Sequence, residues 1–238
     1  MNTRNTVPAL LLGVGVLLGF AALGFLFGNA VEKFKSYERT VTVKGLAERE
    51  VPADIVIWPI QFTAASNDLP SLYQNIAASS ARIERFLNDQ GIDPDEVTVS
   101  LPAITDKLAQ QYGGQRAEFR YSALQTVTVY SDQVDKVREA MQKLADLGKE
   151  GIAFSQGNYQ GQIEYIYTGL NDIKPEMVEQ ATLEARLVAQ KFAEDSDSVL
   201  GKIKRASQGQ FSIRDRDKNN PHIKKVRVVS TVEYYLSD

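Results

Sequence analysis

Residues 39–64, RTVTVKGLAEREVPADIVIWPIQFTA, predict two consecutive β-strands. Val41 and Val43 alternate with polar residues, and the chain breaks at Pro52 before a second apolar run begins. Alternation with a period of two is typical of a half-buried strand. Pro59 in the second run has no N–H for a strand ladder, so it predicts an edge position or a bulge. The stretch therefore favours antiparallel neighbours rather than a helical domain.

Helix and strand patterns alternate along the rest of the chain. Residues 69–91, LPSLYQNIAASSARIERFLNDQG, predict a helix with one apolar face and Gly91 as its C-terminal cap. Further helical patterns follow Ser131 and Asn171. The order is strand-strand-helix-strand-strand-helix-strand-helix-strand-strand. It predicts the α+β class, with mostly antiparallel sheets, three helices packed on them and one transmembrane helix in front.

The N-terminal segment has no charged residue from Val7 to Phe27. As a helix this run reaches roughly 30 Å, the thickness of the hydrocarbon core of a membrane. Because a secretory signal usually has an apolar region of only about 7–15 residues, the length favours a retained anchor. Gly28 and Ala30 form the small-x-small pattern that signal peptidases cut. Cleavage near Ala30 is therefore the alternative.

This run divides the chain into four parts. We predict a short tail at 1–6, a transmembrane anchor or uncleaved signal at 7–28, a linker at 29–39 and one α+β domain at 40–236. Basic residues are more numerous after the run than before it, and the positive-inside rule alone would keep the domain in the cytoplasm. We still expect export, because the span is N-terminal and no other span follows.

Glycine pairs within the run predict contacts between membrane helices. Gly15 and Gly19 are four residues apart, as are Gly24 and Gly28. This spacing lets two helices approach closely in a membrane. The four glycines are therefore predicted oligomer contacts, although glycine is also common in spans and signals generally.

The last helical pattern contains a regular row of alanines. Ala181, Ala185, Ala189 and Ala193 are each four residues apart. A row of small side chains lets a helix lie close to its own sheet or to another subunit. Packing onto the helix's own sheet is the favoured interpretation, and a subunit contact through these alanines is the functional alternative.

Composition excludes several kinds of chemistry. The chain of 238 residues has a net charge of −3 and no long basic block, so nothing predicts nucleic-acid binding. It has no cysteine, which removes disulfides, thiolate nucleophiles and cysteine metal sites. It has one histidine, His222, so a catalytic triad would have to use that residue. We expect no cofactor, no resident metal and no enzymatic activity.

Three groups of residues are candidate sites. Asp215 and Asp217, close to His222, suggest a divalent cation, but the alternating arginines favour a solvated hairpin tip. The carboxylates of 93–96, DPDE, are typical of a turn, although paired carboxylates of a hydrolase acting on envelope polysaccharide stay an alternative. Tyrosines 159, 165 and 167 suggest a lectin-like or small-ligand face, but alternating tyrosines are more often half-buried sheet residues.

Five segments follow one another along the chain: VTVKGLAEREVPAD, FLNDQGIDPDEVTVS, FRYSALQTVTVYS, EGIAFSQ and ATLEARLVAQKFAEDSDSVLGKIKRASQG. Their order and spacing resemble the SIMPL-domain family, which includes bacterial periplasmic immunogenic proteins and proteins described as oxidative-stress defence factors. The resemblance covers Thr40 to Tyr235. One departure is Ala53, which stands between Pro52 and Asp54, where the family tends to have Pro-Asp directly.

The resemblance implies an envelope α+β protein without established catalysis, in a family where some members form rings or channel-like oligomers. It implies a bacterial inner-membrane, single-pass protein with its domain in the periplasm, or a soluble periplasmic protein after cleavage. Self-assembly is the expected function, with no ligand identified. With only Met141 and Met177 as oxidisable sulfur in the domain, any protection against oxidants would be indirect.

Overall fold

The computed structural model describes residues 6–36, 39–109, 118–155 and 162–237. Its helices are α1 Thr6–Ser36, α2 Leu69–Asp89, α3 Val134–Lys149 and α4 Leu170–Asp195, and a 3₁₀ turn spans Pro94–Glu96. Its strands are β1 Thr40–Pro52, β2 Ile55–Ser66, β3 Val97–Val99, β4 Ala103–Asp106, β5 Tyr121–Ser131, β6 Ala153–Phe154, β7 Glu164–Ile166, β8 Val199–Gln208, β9 Ser212–Asp215 and β10 Ile223–Ser237. The α+β class is confirmed.

The chain divides into two compact units. One contains Met1–Glu48, Lys174–Ser212 and Arg227–Asp238, and the other contains Arg49–Ile173 and Ile213–Val226. The sequence patterns gave one domain over 40–236 and did not anticipate this division.

The second unit is built on a sheet of six strands. Its order is β3-β5-β2-β6, with β4 also paired to β5 and β7 also paired to β2. β2 and β5 run antiparallel over their whole length, from Val56↔Ser131 to Ser66↔Tyr121. The alternating side chains Val56, Trp58 and Ile60 are nearly or fully buried in one core with residues of α2 and α3. The period-two pattern of β2 thus gives the sheet its helix-covered face.

Helix α2 is held by its caps and by one apolar face. The Asp68 carboxylate accepts from the Ser71 backbone N–H over 3.0 Å, and Gly91 follows the helix with a φ of 79°. A glycine reaches this left-handed conformation without the strain that a side chain would cause. The predicted cap at Gly91 agrees with this geometry. The face that packs into the core consists of Leu72, Ile76, Ser80, Ile83 and Leu87.

The other sheet has the order β1-β10-β8, and β9 also pairs with β10. In the first unit, α4 packs on this sheet through a small core that contains Val43, Ala185, Ala189, Val232 and Tyr234. Alanine at the helix surface permits this close packing, because a larger side chain would hold the helix away from the strands.

Three element boundaries come from the structure. Within the predicted linker 29–39 the chain is helical as far as Ser36, since neither proline nor glycine interrupts it between Gly28 and that residue. The chain between Glu96 and Lys107 forms two strands, β3 and β4, with Pro102 between them. Helix α4 begins at Leu170, so Pro175 lies in its second turn.

Pro59 lies in the interior of the sheet rather than at an edge. On one side it is paired with Thr128 of β5. On the other side, β2 pairs with β7 at Ile55–Ile57 and with β6 at Phe62–Thr63, so Pro59 falls between the two. Among the described residues, no strand pairs with Pro59 on this second side. The missing N–H of proline is therefore tolerated here as it would be at the edge of a sheet.

Candidate functional site

Helix α1 has the length and composition of a membrane span. Its segment Leu12–Ala30 has a mean hydropathy of 1.9, and none of it is buried in the described structure. Side chains such as Phe20 and Phe25 are 72% and 71% exposed. Water-exposed apolar surface costs about 25 cal/mol per Å². The helix therefore fits a membrane anchor or a signal sequence.

The four glycines that the sequence predicts as helix contacts are uncovered in the described structure. A Cβ atom added at Gly15, Gly19, Gly24 or Gly28 would meet no other atom within 4 Å. The surface at both pairs is therefore free to receive a second helix, and contacts through the four glycines stay a prediction.

The alanine row of α4 is covered from within the chain. Ala181, Ala185 and Ala189 are fully buried, and Ala193 is 2% exposed. A Cβ atom at Gly45 of β1 would lie 1.8 Å from the Ala181 carbonyl oxygen and 2.4 Å from the Ala185 nitrogen. Helix and strand are therefore in backbone contact. The row serves packing onto the chain's own sheet, and these four side chains have no exposed surface for a subunit contact.

The opposite edge of that sheet, β8, is exposed but protected. Nine of its ten residues are exposed, and it carries Lys202, Lys204 and Arg205. Its pairing with β10 is irregular at two places, where Glu233 gives way to Tyr234 and where Tyr234 gives way to Leu236. Positive charges and bulges are the usual devices that stop an exposed edge from pairing with another strand.

The edge strand β3 is only three residues long, and the register of pairing with β5 shifts by one residue between β3 and β4. The β3 residues Val97, Thr98 and Val99 are uncharged and pair regularly with Val129, Thr128 and Val127. Within the described residues, no strand pairs with its outer side. It is followed by Leu101, whose side chain is 92% exposed.

A cleft of about 360 Å³ lies between β3 and helix α2. Its apolar lining is contributed by Ala81, Ile92, Pro94, Val97 and Val99, and its polar rim by Glu84, Arg85 and Asn88 of α2.

Two of the rim side chains are held by α2 itself. Ser80 Oγ donates to Glu84 Oε1 over 3.0 Å, and Arg85 Nε donates to the Ala81 carbonyl oxygen over 3.1 Å. The cleft therefore combines an apolar floor, an exposed strand edge and one charge of each sign.

The carboxylate of Asp54 caps the N-terminus of α4, although Asp54 is distant from this helix in sequence. Its carboxylate accepts from the Thr168 backbone N–H over 2.8 Å, from Thr168 Oγ1 over 2.9 Å and from the Gly169 N–H over 3.2 Å. These donors stand just before the first residue of the helix, where backbone N–H groups lack partners in the helix itself. The insertion at Ala53 thus still leaves Asp54 with a structural role.

The tyrosine candidates are structural where the structure describes them. Tyr165 Oη contacts Met141 Sδ over 3.9 Å, and burial raises the pKa of Tyr165 while Arg138 opposes the shift. Tyr167 Oη donates to the Gly169 carbonyl oxygen over 2.8 Å. Tyr159 lies outside the described residues.

The carboxylates weighed as a possible cation site are engaged in local contacts. Asp217 accepts from Arg216 Nε and from the backbone N–H groups of Asn219 and Asn220, each over 2.9 Å. These contacts lower the pKa of Asp217 to about 2, with the Arg216 contact as the largest cause. Asp215 is paired instead with Lys224. Among the described residues, no three histidine or carboxylate side chains are grouped as metal ligands.

The single histidine is not part of that turn. The His222 ring lies edge-on to Tyr165, with the ring centres 6.0 Å apart. Burial lowers its pKa, with a smaller contribution from Arg138.

Two of the three DPDE carboxylates, Asp93 and Glu96, have local partners. Asp93 Oδ1 accepts from the Asp95 N–H over 3.0 Å, and Glu96 Oε1 accepts from Ser131 Oγ over 2.9 Å. Glu96 also receives the Asp93 N–H over 3.3 Å, which completes a capping box around the 3₁₀ turn. The turn that the sequence predicted is therefore present.

Residues 41–233 match the family described as SIMPL, a protein of unknown function (DUF541). The chain belongs to the SIMPL family. The matched segment starts at the second residue of β1 and ends within β10, so it contains β2 to β9 in full, most of β1 and β10, and the three helices α2, α3 and α4. No curated protein matches the chain.

Sequence reasoning did not single out the β3 edge of this SIMPL domain. The β3 edge and its cleft were not among the predicted sites, although a signal was present. Residues 97–101, VTVSL, form an uncharged alternating run directly after a capped turn, with a leucine at the end. What the sequence lacked was the knowledge that β3 has a partner on one side only.

Proposed function

We propose that this SIMPL protein is a membrane-tethered assembly protein of the bacterial envelope that works by self-association rather than by catalysis. One observation carries the proposal: the apolar segment Leu12–Ala30 is entirely unburied and ends ten residues before the SIMPL domain begins. A retained α1 would hold every copy at one membrane face. The apolar run would span the inner membrane once, and the domain would lie in the periplasm.

Tethering favours assembly through weak surfaces. Molecules confined to a membrane meet at a high effective concentration, so contacts too weak to hold a dimer in solution can hold one at the membrane. The SIMPL domain offers such surfaces at the β3 cleft and on α4, where Leu183, Leu187 and Phe192 are 55%, 62% and 55% exposed. The glycine pairs of α1 offer a third.

A non-catalytic role is supported by how the candidate residues are used. Asp54, Asp93 and Glu96 act as caps or turn partners, and Asp217 closes a turn. Groups engaged in this way are held by the fold rather than presented to a substrate. A stress-protective role would be indirect, because Met177 is fully buried and the chain has no thiol.

Topology can be tested with single cysteines, since the chain has none of its own. Asp132→Cys in the exposed turn before α3 should react with a membrane-impermeant maleimide added to cells whose outer membrane has been made permeable. The protein should stay in the membrane through alkaline carbonate washing. Labelling only after the inner membrane is broken would place the domain in the cytoplasm, and a soluble labelled protein would mean a cleaved signal.

Self-association can be tested by chemical cross-linking of the full-length protein in native membranes. The proposal expects cross-linked species larger than one chain at low expression levels. A variant that lacks α1 and is delivered by a cleavable signal should cross-link less at equal protein amounts, because tethering would be lost. Single chains in both cases would contradict self-assembly.

A further inference from the structure

We propose that the SIMPL domain makes a lipid contact of its own, through Phe192 at the end of α4 and Val199 at the start of β8. The partner is the headgroup layer of the membrane that α1 spans, so the inference rests on the retained anchor of the proposed function. The contact would fix the orientation of the first compact unit on the membrane. Phe192 would serve this contact, which leaves Leu183 and Leu187 of α4 for contacts between copies.

The strand register places the start of β8 level with the start of β1. The Leu236 N–H donates to the carbonyl oxygen of Arg39, the residue directly before β1, over 2.9 Å. On the other side of β10, the neighbouring Ser237 pairs with Val199 of β8. Val199 therefore lies two strand spacings, about 10 Å, from the first residues of β1.

Helix α4 runs toward the same end of the sheet. Gly45 of β1 lies against the Ala181 carbonyl oxygen, whereas Val43, two residues earlier in the strand, shares a core with Ala189. Later residues of the helix thus contact earlier residues of the strand. The last turn of α4 therefore lies near the first residues of β1.

Two exposed apolar side chains mark this end of the unit. The Ser198 N–H donates to the Ala193 carbonyl oxygen over 2.9 Å, which holds the start of β8 against the last turn of α4. Phe192 directly precedes Ala193 and is 55% exposed, and Val199 directly follows Ser198 and is 61% exposed. Such surface is unfavourable in water and favourable in the boundary between lipid headgroups and acyl chains.

The chain between the anchor and β1 is short. Helix α1 continues to Ser36, about 9 Å past Ala30. This length crosses the headgroup layer, which adds roughly 5–8 Å to each side of the hydrocarbon core. Ser36 and Thr40 are four residues apart, which is at most about 14 Å along the chain. The end of the unit that carries Phe192 and Val199 therefore begins within a few residues of the lipid headgroups.

The charges around the two apolar side chains are of both signs. Lys191 pairs with Glu194 over 3.7 Å and with Asp195 over 3.3 Å. The other charged residues of the segment 191–202 are Asp197 and Lys202. Because these charges nearly cancel, we expect the contact to depend on apolar insertion rather than on attraction to anionic lipids.

The absence of cysteine permits single labels in the full-length protein. Phe192→Cys or Val199→Cys carries an NBD fluorophore, and the protein is placed in phosphatidylcholine nanodiscs with one chain per disc. The matched controls are Leu183→Cys in α4 and Ile203→Cys in β8, whose native side chains are 55% and 48% exposed. Each control lies about 13 Å farther from the membrane along its own element than the position it matches.

Lipids that carry a headgroup nitroxide should quench the labels at 192 and 199 several times more strongly than those at 183 and 203. The difference should persist at high salt and when phosphatidylglycerol replaces part of the phosphatidylcholine. Equal quenching at all four positions would overturn the contact. A label at 192 or 199 that is shielded from water but not quenched would also overturn it, because protein rather than lipid would then cover the site.

A second variant tests the native side chain of Phe192. With the label at 199, Phe192→Ser should lower the ratio of docked to undocked domains, measured by the quenched fraction, roughly tenfold. Leu183→Ser is the control on the same helix and should leave this fraction unchanged, since Leu183 is equally exposed but lies farther from the membrane. An unchanged fraction in F192S would contradict the insertion of Phe192.

The outcomes separate this inference from the proposed function, because a disc with one chain cannot contain an oligomer. Unquenched labels at 192 and 199, together with cross-linked oligomers in native membranes, would overturn the lipid contact while the proposed function stands. Quenched labels without oligomers in native membranes would support the contact and contradict self-assembly. A native chain that lacks α1 would overturn both.

Discussion

Gly45 and Ala181 are in backbone contact: a Cβ atom on Gly45 would lie 1.8 Å from the Ala181 carbonyl oxygen. The same atom would lie 2.4 Å from the nitrogen of Ala185. Two fixed backbone groups, rather than the end of a flexible side chain, stand in the way. Strand β1 and helix α4 therefore require glycine on one side and small residues on the other.

Gly45→Ala should destabilise the protein by about 3 kcal/mol, or lower the melting temperature by roughly 6–12 °C, because helix and strand must separate to admit one methyl group. The measurement is thermal unfolding followed by circular dichroism. Gly148→Ala is the control, since a Cβ atom there meets nothing within 4 Å. Equal melting temperatures of G45A and G148A would contradict the close contact between Gly45 and helix α4.

Asp54→Ala should cost about 2 kcal/mol, because it leaves the N–H groups of Thr168 and Gly169 without their acceptor at the start of α4. Asp54→Asn should cost less, since one side-chain oxygen still accepts. The reporter is the fluorescence of Trp58, the single tryptophan, which is buried in the same unit. Asp132→Ala is the control at an exposed aspartate, and equal losses in D54A and D132A would contradict the capping role.

The role of Asp54 also shows what the sequence could and could not predict. The alternation in β2 and the apolar face of α2 are local patterns with a fixed period, and the cap at Gly91 is a local signal at one residue. The structure agrees with all three. Asp54 and Thr168 are more than a hundred residues apart, and no local pattern connects them. The cap could be found only once the fold brought the two segments together.

The alanine row illustrates a related limit. Its spacing showed that something must pack closely on α4, but a periodic stripe does not say whether the neighbour belongs to the same chain. The neighbour is Gly45, whose own sequence context, VKGLAE, gives no sign of a helix above it. The exposed edge at β3 was hidden for the same reason, because strand order is a property of the whole sheet.

The pair of Lys224 and Asp215 predicts an asymmetric response to substitution. The side chain of Lys224 is 9% exposed, whereas that of Asp215 is 50% exposed. Asp215→Ala leaves the buried ammonium without its partner and should cost about 2 kcal/mol, whereas Lys224→Met keeps the packing and should cost less. Chemical unfolding of both single variants and the double variant measures the coupling. A larger loss in K224M than in D215A would contradict this account.

The turn at Asp217 predicts a response to acid. Its pKa falls from 3.8 to about 2 in the folded protein, with the contact to Arg216 as the largest cause. A folded carboxyl with a lowered pKa stabilises the fold above its unfolded pKa, and this contribution is lost as the pH falls from 3.8 to about 2. Carboxyl-carbon NMR should give a midpoint near the lower value.

Asp217→Asn serves as the comparison for that titration. In this variant the acid dependence that belongs to residue 217 should vanish, while neighbouring carboxyls titrate as before. A wild-type midpoint at the ordinary value for aspartate would show that the contacts from Arg216, Asn219 and Asn220 do not hold the charged form.

Native mass spectrometry of the full-length protein, released from membranes in mild detergent, tests the central claim most directly. One spectrum reports both the number of subunits and whether each subunit keeps the segment Leu12–Ala30. The account predicts multiples of a subunit that includes this segment. Single chains, whether with or without the segment, would contradict a tethered assembly.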